Sequence, residues 1–338
     1  MRRFCGLFLA CLALYLAVPA SARAEIRAVL VGVSEYDEAT GIADLKGPPN
    51  DIALLAGILA ARGASDITVL VDGEGEEKRP TRAAILKAFD EVAAASGPGD
   101  LVYIHLSGHG TRQADRNGDE TDGLDEVFLP ADTGRAEPGS GTIPNALVDD
   151  EIGEAVRAIR RRGADVFFVM DSCHSGSGLR AASPQVADRF VDPAVLGVTV
   201  EPRPASEEPP LAEADDEDLP GGLMAFYAAQ SSELAREVNM AAEGAQEAWY
   251  GLFSAKLAAR LEAGAPLSYR QLFQAVLGDI NDSRVPGAAR LQTPMWEGNL
   301  VDAAVFGGSS PVGVRRFAPD GDALAAGRVH GLSAGTLL

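Results

Sequence analysis

Apolar runs of strand length alternate with segments of helical periodicity along most of the chain. The runs at 26–33, 100–106 and 165–170 have the length and composition of buried strands. Between and after these runs, apolar positions recur with helical spacing at 50–62, 81–95 and 149–162, and Thr81 is a suitable N-cap residue. Because strands separated by helices form βαβ crossovers, this pattern predicts an α/β fold with a mainly parallel sheet.

The second half of the chain is less regular. Residues 177–222 are rich in proline and carry an acidic cluster, which predicts a linker or excursion outside the core. A strand at 223–229 and helices at 251–263 and 268–281 follow. We expect one domain over 25–306, divided into 25–176, the linker 177–222 and 223–306. The Gly- and Ala-rich tail at 307–338 leaves open whether a longer parent chain continues beyond it.

The first 24 residues have the pattern of a secretory signal peptide. Arg2 and Arg3 are followed by an apolar run at 5–18 and a small-x-small sequence at 22–24. The run is short for a membrane span, so we predict cleavage after Ala24, export to the periplasm or the extracellular space, and no stable membrane insertion. A retained anchor and lipidation at Cys11 are the alternatives.

Composition narrows the class of protein. With 46% hydrophobic and 23% charged residues, the 338-residue chain is typical of globular proteins. The net charge of −20 argues against nucleic acid or anionic lipid as the main partner. It is compatible with a cationic substrate or divalent cations. Of the 3 cysteines, two lie in the predicted signal peptide, which leaves Cys173 as the thiol of the mature chain and excludes an internal disulfide there.

Unusual polar residues follow two of the predicted strands. Ser107-Gly108-His109-Gly110 comes after one strand, and Asp171-Ser172-Cys173-His174-Ser175-Gly176 comes after another. Neighbouring parallel strands would bring His109 close to Cys173, where an imidazole can take the proton of an attacking thiol. Ordinary packing of a buried cysteine is the simpler alternative. His105 lies inside a predicted strand, where we expect a hydrogen-bonded core histidine.

These two segments resemble the catalytic signature of metacaspases and bacterial caspase-like cysteine peptidases of the C14 type. The resemblance covers about 26–306, and weaker matches support it: Gly47-Pro48-Pro49-Asn50-Asp51, Asp122-Gly123-Leu124-Asp125-Glu126, Ala228-Ala229-Gln230-Ser231 and Gln292-Thr293-Pro294. It implies a caspase-like (caspase–haemoglobinase) fold with about six mainly parallel strands flanked by helices, and a monomer rather than a dimer. The segments 25–176 and 223–306 then correspond to the large and small subunits of caspases.

The resemblance also implies roles for individual residues. His109 would be the general base and Cys173 the nucleophile, with the amides of Gly110 and Cys173 as the oxyanion hole. His174 would be structural. Thiol-dependent hydrolysis of peptides needs no cofactor. The rival functions are a catalytically silent scaffold or regulatory binding module, and another thiol chemistry such as transpeptidation or a redox role, although a redox role usually needs a partner thiol.

Substrate preference follows from two acids that match the family's specificity pocket. Asp51 and Asp171, with Ser107 nearby, would bind a guanidinium or ammonium and repel a carboxylate, so we expect cleavage of peptides and proteins after Arg or Lys. For Asp51 alone, an ordinary acid at a helix N-terminus is the alternative. Basic residues in or beside the linker are candidates for self-cleavage, since exposed loops are preferred nicking sites: Arg180, Arg189 and Arg203.

Calcium dependence stays open at the level of sequence. Residues 115–126 contain oxygen donors at EF-hand spacing, but Glu120 replaces the turn glycine and no helix pair flanks the loop, so we reject an EF-hand. The acids of calcium-dependent metacaspases correspond to Asp125, Asp149 and Asp150. A fourth matching position is Arg180, and a cation there would oppose Ca²⁺ binding. A weak, altered or absent site and a simple solvated acidic loop are the alternatives.

Overall fold

The computed structural model describes residues 24–115, 117–118, 120, 123–173, 185–200, 218–230, 233–242, 244–282 and 292–308, with backbone alone at 319–320 and 323–324. Several sequence-based predictions therefore fall outside the described residues. These are the signal peptide up to residue 23, His174, Arg180, Arg203 and most of the tail.

A six-stranded sheet forms the centre of the described chain. The strands in chain order are β1 Ile26–Gly32, β2 Asp66–Val71, β3 Leu101–Ser107, β4 Gly110–Ala114, β5 Leu124–Phe128, β6 Leu147–Val148, β7 Asp165–Asp171, β8 Val186–Asp188, β9 Leu223–Tyr227, β10 Arg236–Asn239, β11 Trp249–Gly251, β12 Met295–Glu297, β13 Pro319–Asp320 and β14 Ala323–Leu324. The central sheet has the order β12-β9-β7-β3-β1-β2, and every pair except β12–β9 is parallel. The predicted mainly parallel α/β sheet is thereby confirmed.

Helices cover both faces of this sheet. They are α1 Pro48–Ala61, α2 Arg82–Ala95, α3 Asp149–Arg161, α4 Leu252–Glu262 and α5 Tyr269–Ile280. Helices α2 and α3 pack in one apolar cluster, and α1, α4 and α5 pack in the other. Alternate residues of β1 enter the two clusters because side chains of a strand point to opposite faces. No helix in the described ranges is long and apolar enough to cross a membrane.

Helix ends follow the local sequence signals. The hydroxyl of Thr81 accepts a hydrogen bond from the amide of Ala84, which caps α2 as predicted. Ser268 and Gln271 form a reciprocal capping box at the start of α5. The predicted helices 50–62 and 149–162 are observed at α1 and α3 with ends shifted by one or two residues.

The interpretation of 177–222 as an excursion outside the core is wrong for its central part. Residues 185–200 form β8 and a short 3-10 helix at Pro193–Leu196, and Leu196 and Val198 are buried in the core. Strand β8 pairs with β10, which also pairs with β11 in a separate three-stranded sheet. Proline content misled the prediction here, because proline is compatible with the first turn of a short helix and with irregular but buried backbone.

Candidate active site

Two neighbouring strands deliver the predicted catalytic pair to one edge of the sheet. Strands β3 and β7 are paired in register, with Ser107 opposite Asp171 at their carboxyl ends. His109 follows the first strand and Cys173 follows the second, and both side chains are buried, with 3% and 2% of their surfaces exposed. The edge beyond the carboxyl ends of parallel strands is where open α/β sheets bind ligands.

The surroundings of His109 fix the orientation and the tautomer of its ring. Nε2 lies 2.9 Å from the carbonyl oxygen of Ala43. Because a carbonyl only accepts hydrogen bonds, Nε2 carries the hydrogen of the neutral ring and Nδ1 is its basic nitrogen. Nδ1 is buried and has no hydrogen-bond partner within the described residues. The Tyr36 ring packs 5.4 Å from the imidazole, and its hydroxyl accepts a hydrogen bond from the His109 amide.

Burial keeps both groups neutral. It lowers the pKa of His109 to about 4, against an opposing effect of the Ala43 carbonyl. Burial also raises the pKa of the Cys173 thiol far above its ordinary value. The amide of Ala235 donates to the sulfur at 2.7 Å, and the sulfur lies 3.2 Å from the carbonyl oxygen of the same residue. In this arrangement Cys173 is a neutral thiol, which would need a base to act as a nucleophile.

The acidic pocket predicted from Asp51, Ser107 and Asp171 contains the side chain of Arg189. Its Nη2 lies 2.8 Å from Asp51 Oδ2, and its Nη1 lies 2.8 Å from Ser107 Oγ and 3.2 Å from Asp171 Oδ2. A third acid, Glu237, has Oε2 3.8 Å from Nη2. Arg189, Asp51 and Asp171 have no solvent-exposed side-chain surface. The structure therefore brings the three predicted pocket residues together around one guanidinium.

Other hydrogen bonds hold the pocket acids in place. Asp51 Oδ2 accepts from the Ser107 hydroxyl at 2.8 Å, and Asp51 Oδ1 accepts from the Gly251 amide at 2.9 Å. Asp171 Oδ2 accepts from the Ser254 hydroxyl at 2.6 Å. Burial raises the pKa of Asp51 to about 6, although the Arg189 guanidinium opposes the rise. At neutral pH the pocket is therefore anionic and suited to a cation.

Two glycines make room for the guanidinium. A Cβ atom at Gly47 would lie 2.8 Å from Arg189 Nη2, and one at Gly251 would collide with Asp171 Oδ2. Residues with side chains at these positions would push the guanidinium or the carboxylate out of place. Gly47 is part of the Gly-Pro-Pro-Asn-Asp match noted in the sequence, and its lack of a side chain leaves room for the guanidinium beside Asp51.

The backbone of Arg189 meets the groups predicted to form the oxyanion hole. Its carbonyl oxygen accepts hydrogen bonds from the amides of Gly110 at 3.1 Å and Cys173 at 3.2 Å. Its own amide donates to the carbonyl of Ala235 at 3.0 Å. On the other side, the amide of Val191 donates to the carbonyl of Gly110 at 3.0 Å. The 186–191 segment thus lies across the strand ends as a peptide with Arg189 in the pocket and Phe190 after it.

Several groups in this site were not anticipated from sequence. Glu237 and Ser254 complete the pocket, and the Ala43 carbonyl orients His109. Three of the four residues of β10 are polar or charged, so the local pattern gives no sign that Glu237 is buried, and a backbone carbonyl leaves no trace in a sequence. Arg189 was expected in an exposed loop, and that expectation is wrong because its side chain is buried.

His105 is confirmed as a core histidine. The ring is fully buried, Nδ1 lies 2.9 Å from the Tyr103 hydroxyl, and Nε2 lies 2.9 Å from Ser254 Oγ. Ser254 also donates to Asp171, so the histidine supports the pocket indirectly. Burial lowers its pKa to about 3, and it therefore stays neutral at physiological pH.

The acids expected to bind calcium lie apart from the pocket. Asp125 is in β5 and accepts from the Gln113 side chain, whereas Asp149 and Asp150 begin α3. Burial raises the pKa of Asp149 to about 9, and the nearby Glu126 and Glu120 add to the rise. No group of three acidic, histidine or cysteine side chains within the described ranges is arranged to hold a metal ion.

Comparisons with known proteins point to one family. Residues 26–182 match the family model described as metacaspase, peptidase C14 domain. Metacaspase-7 from Arabidopsis thaliana is 32% identical over 166 residues, covering 48% of this chain and 38% of that protein. Metacaspase-2 from the same plant is 36% identical over 163 residues, covering 47% and 36%. The chain thus matches little more than a third of the length of these two relatives.

A solved structure extends the likeness of the fold beyond residue 182. The crystal structure of protein GSU0716 from Geobacter sulfurreducens superposes with a TM-score of 0.55 at 23% identity, and the match covers 81% of this chain and 93% of that one. At this identity the likeness concerns the fold alone. The family match and the metacaspase relatives agree that residues 26–182 are similar to the metacaspase, peptidase C14 domain.

Proposed function

We propose that this protein is a cysteine endopeptidase that cleaves peptide bonds after Arg or Lys, with Cys173 as nucleophile and His109 as base. The observation that carries the proposal is Arg189, whose guanidinium contacts two buried aspartates while its carbonyl oxygen accepts from two backbone amides. A substrate needs the same two interactions, one for recognition and one for stabilising the oxyanion. Export, a monomeric state and independence from cofactors belong to the same proposal.

The proposed reaction is acyl transfer through a thioester. The Cys173 sulfur attacks the carbonyl carbon, and the thiol proton passes to Nδ1 of His109. The amides of Gly110 and Cys173 donate to the developing oxyanion. Collapse of the resulting tetrahedral intermediate breaks the C–N bond of the substrate, and His109 gives the proton to the leaving amine. Water, deprotonated by His109, then hydrolyses the thioester, which releases the acid product and restores the thiol.

The preference for a basic residue rests on charge. A guanidinium or ammonium in the pocket meets Asp51 and Asp171, and Glu237 adds a third negative charge. Burial strengthens these interactions because little water screens them. An aspartate side chain in the same place would meet only like charges. We expect Arg to be preferred to Lys, since its planar fork can reach Asp51 and Ser107 together.

Self-cleavage after Arg189 is part of the proposal. The Arg189–Phe190 bond lies beside Cys173 as a substrate bond would, and the carbonyl is already held by both amides. Arg180 and Arg203, the other candidates, lie outside the described residues. Cleavage after Arg189 would produce a fragment that begins with Phe190.

Intact-mass analysis with N-terminal sequencing tests self-cleavage. The wild-type chain should yield a new N-terminus at Phe190, and Cys173→Ala should stay intact. Arg189→Ala should remove this product, whereas Arg189→Lys should retain it at a lower rate. Identical fragments from the wild type and Cys173→Ala would assign the cleavage to a contaminating protease.

Fluorogenic peptides test cleavage of separate substrates. Peptides ending in Arg or Lys before the fluorophore should be hydrolysed by the processed wild type and not by Cys173→Ala, and a peptide ending in Asp should not be hydrolysed. If a folded, processed protein hydrolyses none of them, the peptidase proposal fails. The silent scaffold would then be the better account.

A further inference from the structure

The chain presents its own segment to the site as an antiparallel strand. Residues of β8 are paired in register with β10: Val186 with Val238, Ala187 with Glu237 and Asp188 with Arg236. The next residue is Arg189, with its side chain in the acidic pocket. A peptide that adds a strand to a sheet edge gains affinity from backbone hydrogen bonds and specificity from the side chains opposite it. The residues opposite β8 should therefore select the residues that precede the basic one.

One of these facing pairs is oppositely charged, with Arg236 buried and Asp188 partly exposed. Arg236 Nε lies 3.4 Å from Asp188 Oδ1, and only 4% and 15% of the two side-chain surfaces are exposed. The two residues stand directly opposite each other in the ladder. Cross-strand partners of opposite charge attract, and a low dielectric strengthens the attraction. Asp188 occupies the position immediately before Arg189.

We propose that Arg236 is a specificity-determining residue that selects an acidic residue immediately before the basic residue of the substrate. This inference rests on the proposed function, because it assumes that the 186–191 segment binds as a substrate does. A substrate with alanine immediately before the basic residue lacks the carboxylate that would pair with the Arg236 guanidinium. Lysine adds a like charge at the same distance, which costs more. The preferred substrates are therefore peptides with an Asp-Arg or Glu-Arg pair.

A peptide series based on the chain's own sequence tests this preference. The processed wild type is assayed with fluorogenic Val-Ala-Asp-Arg, Val-Ala-Ala-Arg and Val-Ala-Lys-Arg. We expect kcat/KM to fall about tenfold from the Asp to the Ala peptide, equivalent to about 1.4 kcal/mol, and further for the Lys peptide. Equal values for the three peptides would overturn this inference and leave the proposed function intact. No hydrolysis of any of them would overturn the proposed function, and the inference with it.

Variants assign the preference to Arg236. Arg236→Gln, which keeps length and polarity, should bring the Asp and Ala peptides to similar kcat/KM values, and Arg236→Glu should favour the Lys peptide. The ratio between peptides reports on this contact, whereas misfolding would lower all rates together. A preference for Asp that is unchanged in folded Arg236→Gln would overturn the assignment.

Self-cleavage provides a second readout within the intact chain. Asp188→Ala should slow cleavage after Arg189 by a similar factor, and Asp188→Lys should slow it more. The double variant Asp188→Lys/Arg236→Glu should recover part of the rate, because the charges are exchanged rather than lost. Failure of this exchange to recover any rate, in a folded protein, would count against a direct contact.

Discussion

Buried carboxylates occur in two regions of this molecule, and the two differ in what neutralises them. In the pocket, Asp51, Asp171 and Glu237 surround the guanidinium of Arg189. At the start of α3, burial raises the pKa of Asp149 to about 9, and the nearby Glu126, Asp150 and Asp125 add to the rise. The pocket is thus an acid cluster completed by a cation from the chain, whereas at the start of α3 burial and acidic neighbours both disfavour the charged form of Asp149.

The difference shows what turns acidic residues into a recognition site. In the pocket, serine hydroxyls and backbone amides donate to the carboxylates, and two glycines leave space for a ligand. Around Asp149 the acids meet helix amides and side-chain amides, and no three of the described ones converge on a point. Negative charge is common to both regions, but in the pocket hydroxyl and amide donors and a guanidinium converge on the same carboxylates.

Removal of the Arg189 guanidinium should have the largest effect on the stability of the protein. In a Cys173→Ala background, where the chain cannot process itself, Arg189→Gln leaves buried carboxylates without their partner and should reduce the free energy of unfolding by about 3–5 kcal/mol. Arg189→Lys keeps the charge and should lose less. Urea unfolding measures both. Equal stability of Cys173→Ala with and without Arg189→Gln would show that the pocket does not depend on this ion cluster.

As the pH falls, protonation of Asp51 should weaken binding of Arg189 in the pocket before His109 becomes protonated. The pKa of Asp51 is raised to about 6 and that of His109 is lowered to about 4. The rate of self-cleavage should therefore fall several-fold as pH drops through about 6, because a protonated Asp51 binds Arg189 less well. Asp51→Asn should be slower and should lack this inflection. Quenched time courses of self-cleavage from pH 4.5 to 8 measure the dependence of the rate on pH. An inflection near 6 that persists in Asp51→Asn would contradict the assignment of this inflection to Asp51.

Replacement of the buried Asp149 carboxyl by a neutral amide should have a moderate effect on stability, of opposite sign. Its pKa in the folded protein is about 9 against an ordinary value of 3.8, so the unfolded chain loses this proton first as pH rises. Stability is then lost between about pH 4 and 9. Asp149→Asn should raise Tm by roughly 2–6 °C at pH 8 and by less at pH 5. Thermal unfolding of both proteins at the two pH values is the measurement, and a lower Tm at pH 8 would indicate that the carboxylate is stabilising.

Calcium should have the smallest effect. Arg180 stands where an acid is expected, and the described acids do not form a ligand set, so we expect cleavage rates to agree within about twofold in calcium and in chelator. Parallel Tm measurements with and without calcium check binding independently of activity. A calcium-dependent rise in Tm that disappears in Asp149→Asn would make the α3 cluster a metal site after all.

The framework of the fold could be predicted from sequence because its signals are local. Strands β1, β3 and β7 are continuous apolar runs, and α2 carries its own N-cap at Thr81. The central part of the proline-rich segment could not be predicted in this way. Its burial depends on pairing with β10 and on a pocket built from distant parts of the chain, and neither leaves a periodic pattern in residues 185–200.

The residues of the candidate site also divide into those that could be predicted from the sequence and those that could not. His109 and Cys173 could be found because they follow strands that pair in register, and Asp51 and Asp171 because the family resemblance supplied them. Glu237, Ser254 and the Ala43 carbonyl reach the site through tertiary contacts alone. Arg189 was a candidate for cleavage on account of its charge, but its position inside the pocket follows only from the path of the backbone through Gly110 and Ala235.

The occupant of the acidic pocket belongs to the same polypeptide as the pocket, and this has a consequence for inhibition. A tethered group acts at an effective concentration that reaches the millimolar range for short connections. A soluble inhibitor with a basic side chain must displace Arg189 against that concentration in the intact chain. Once the chain has been cut and the segment can leave, the same inhibitor meets an open pocket. Its apparent affinity will therefore report whether the chain has been cut as much as how well the inhibitor fits.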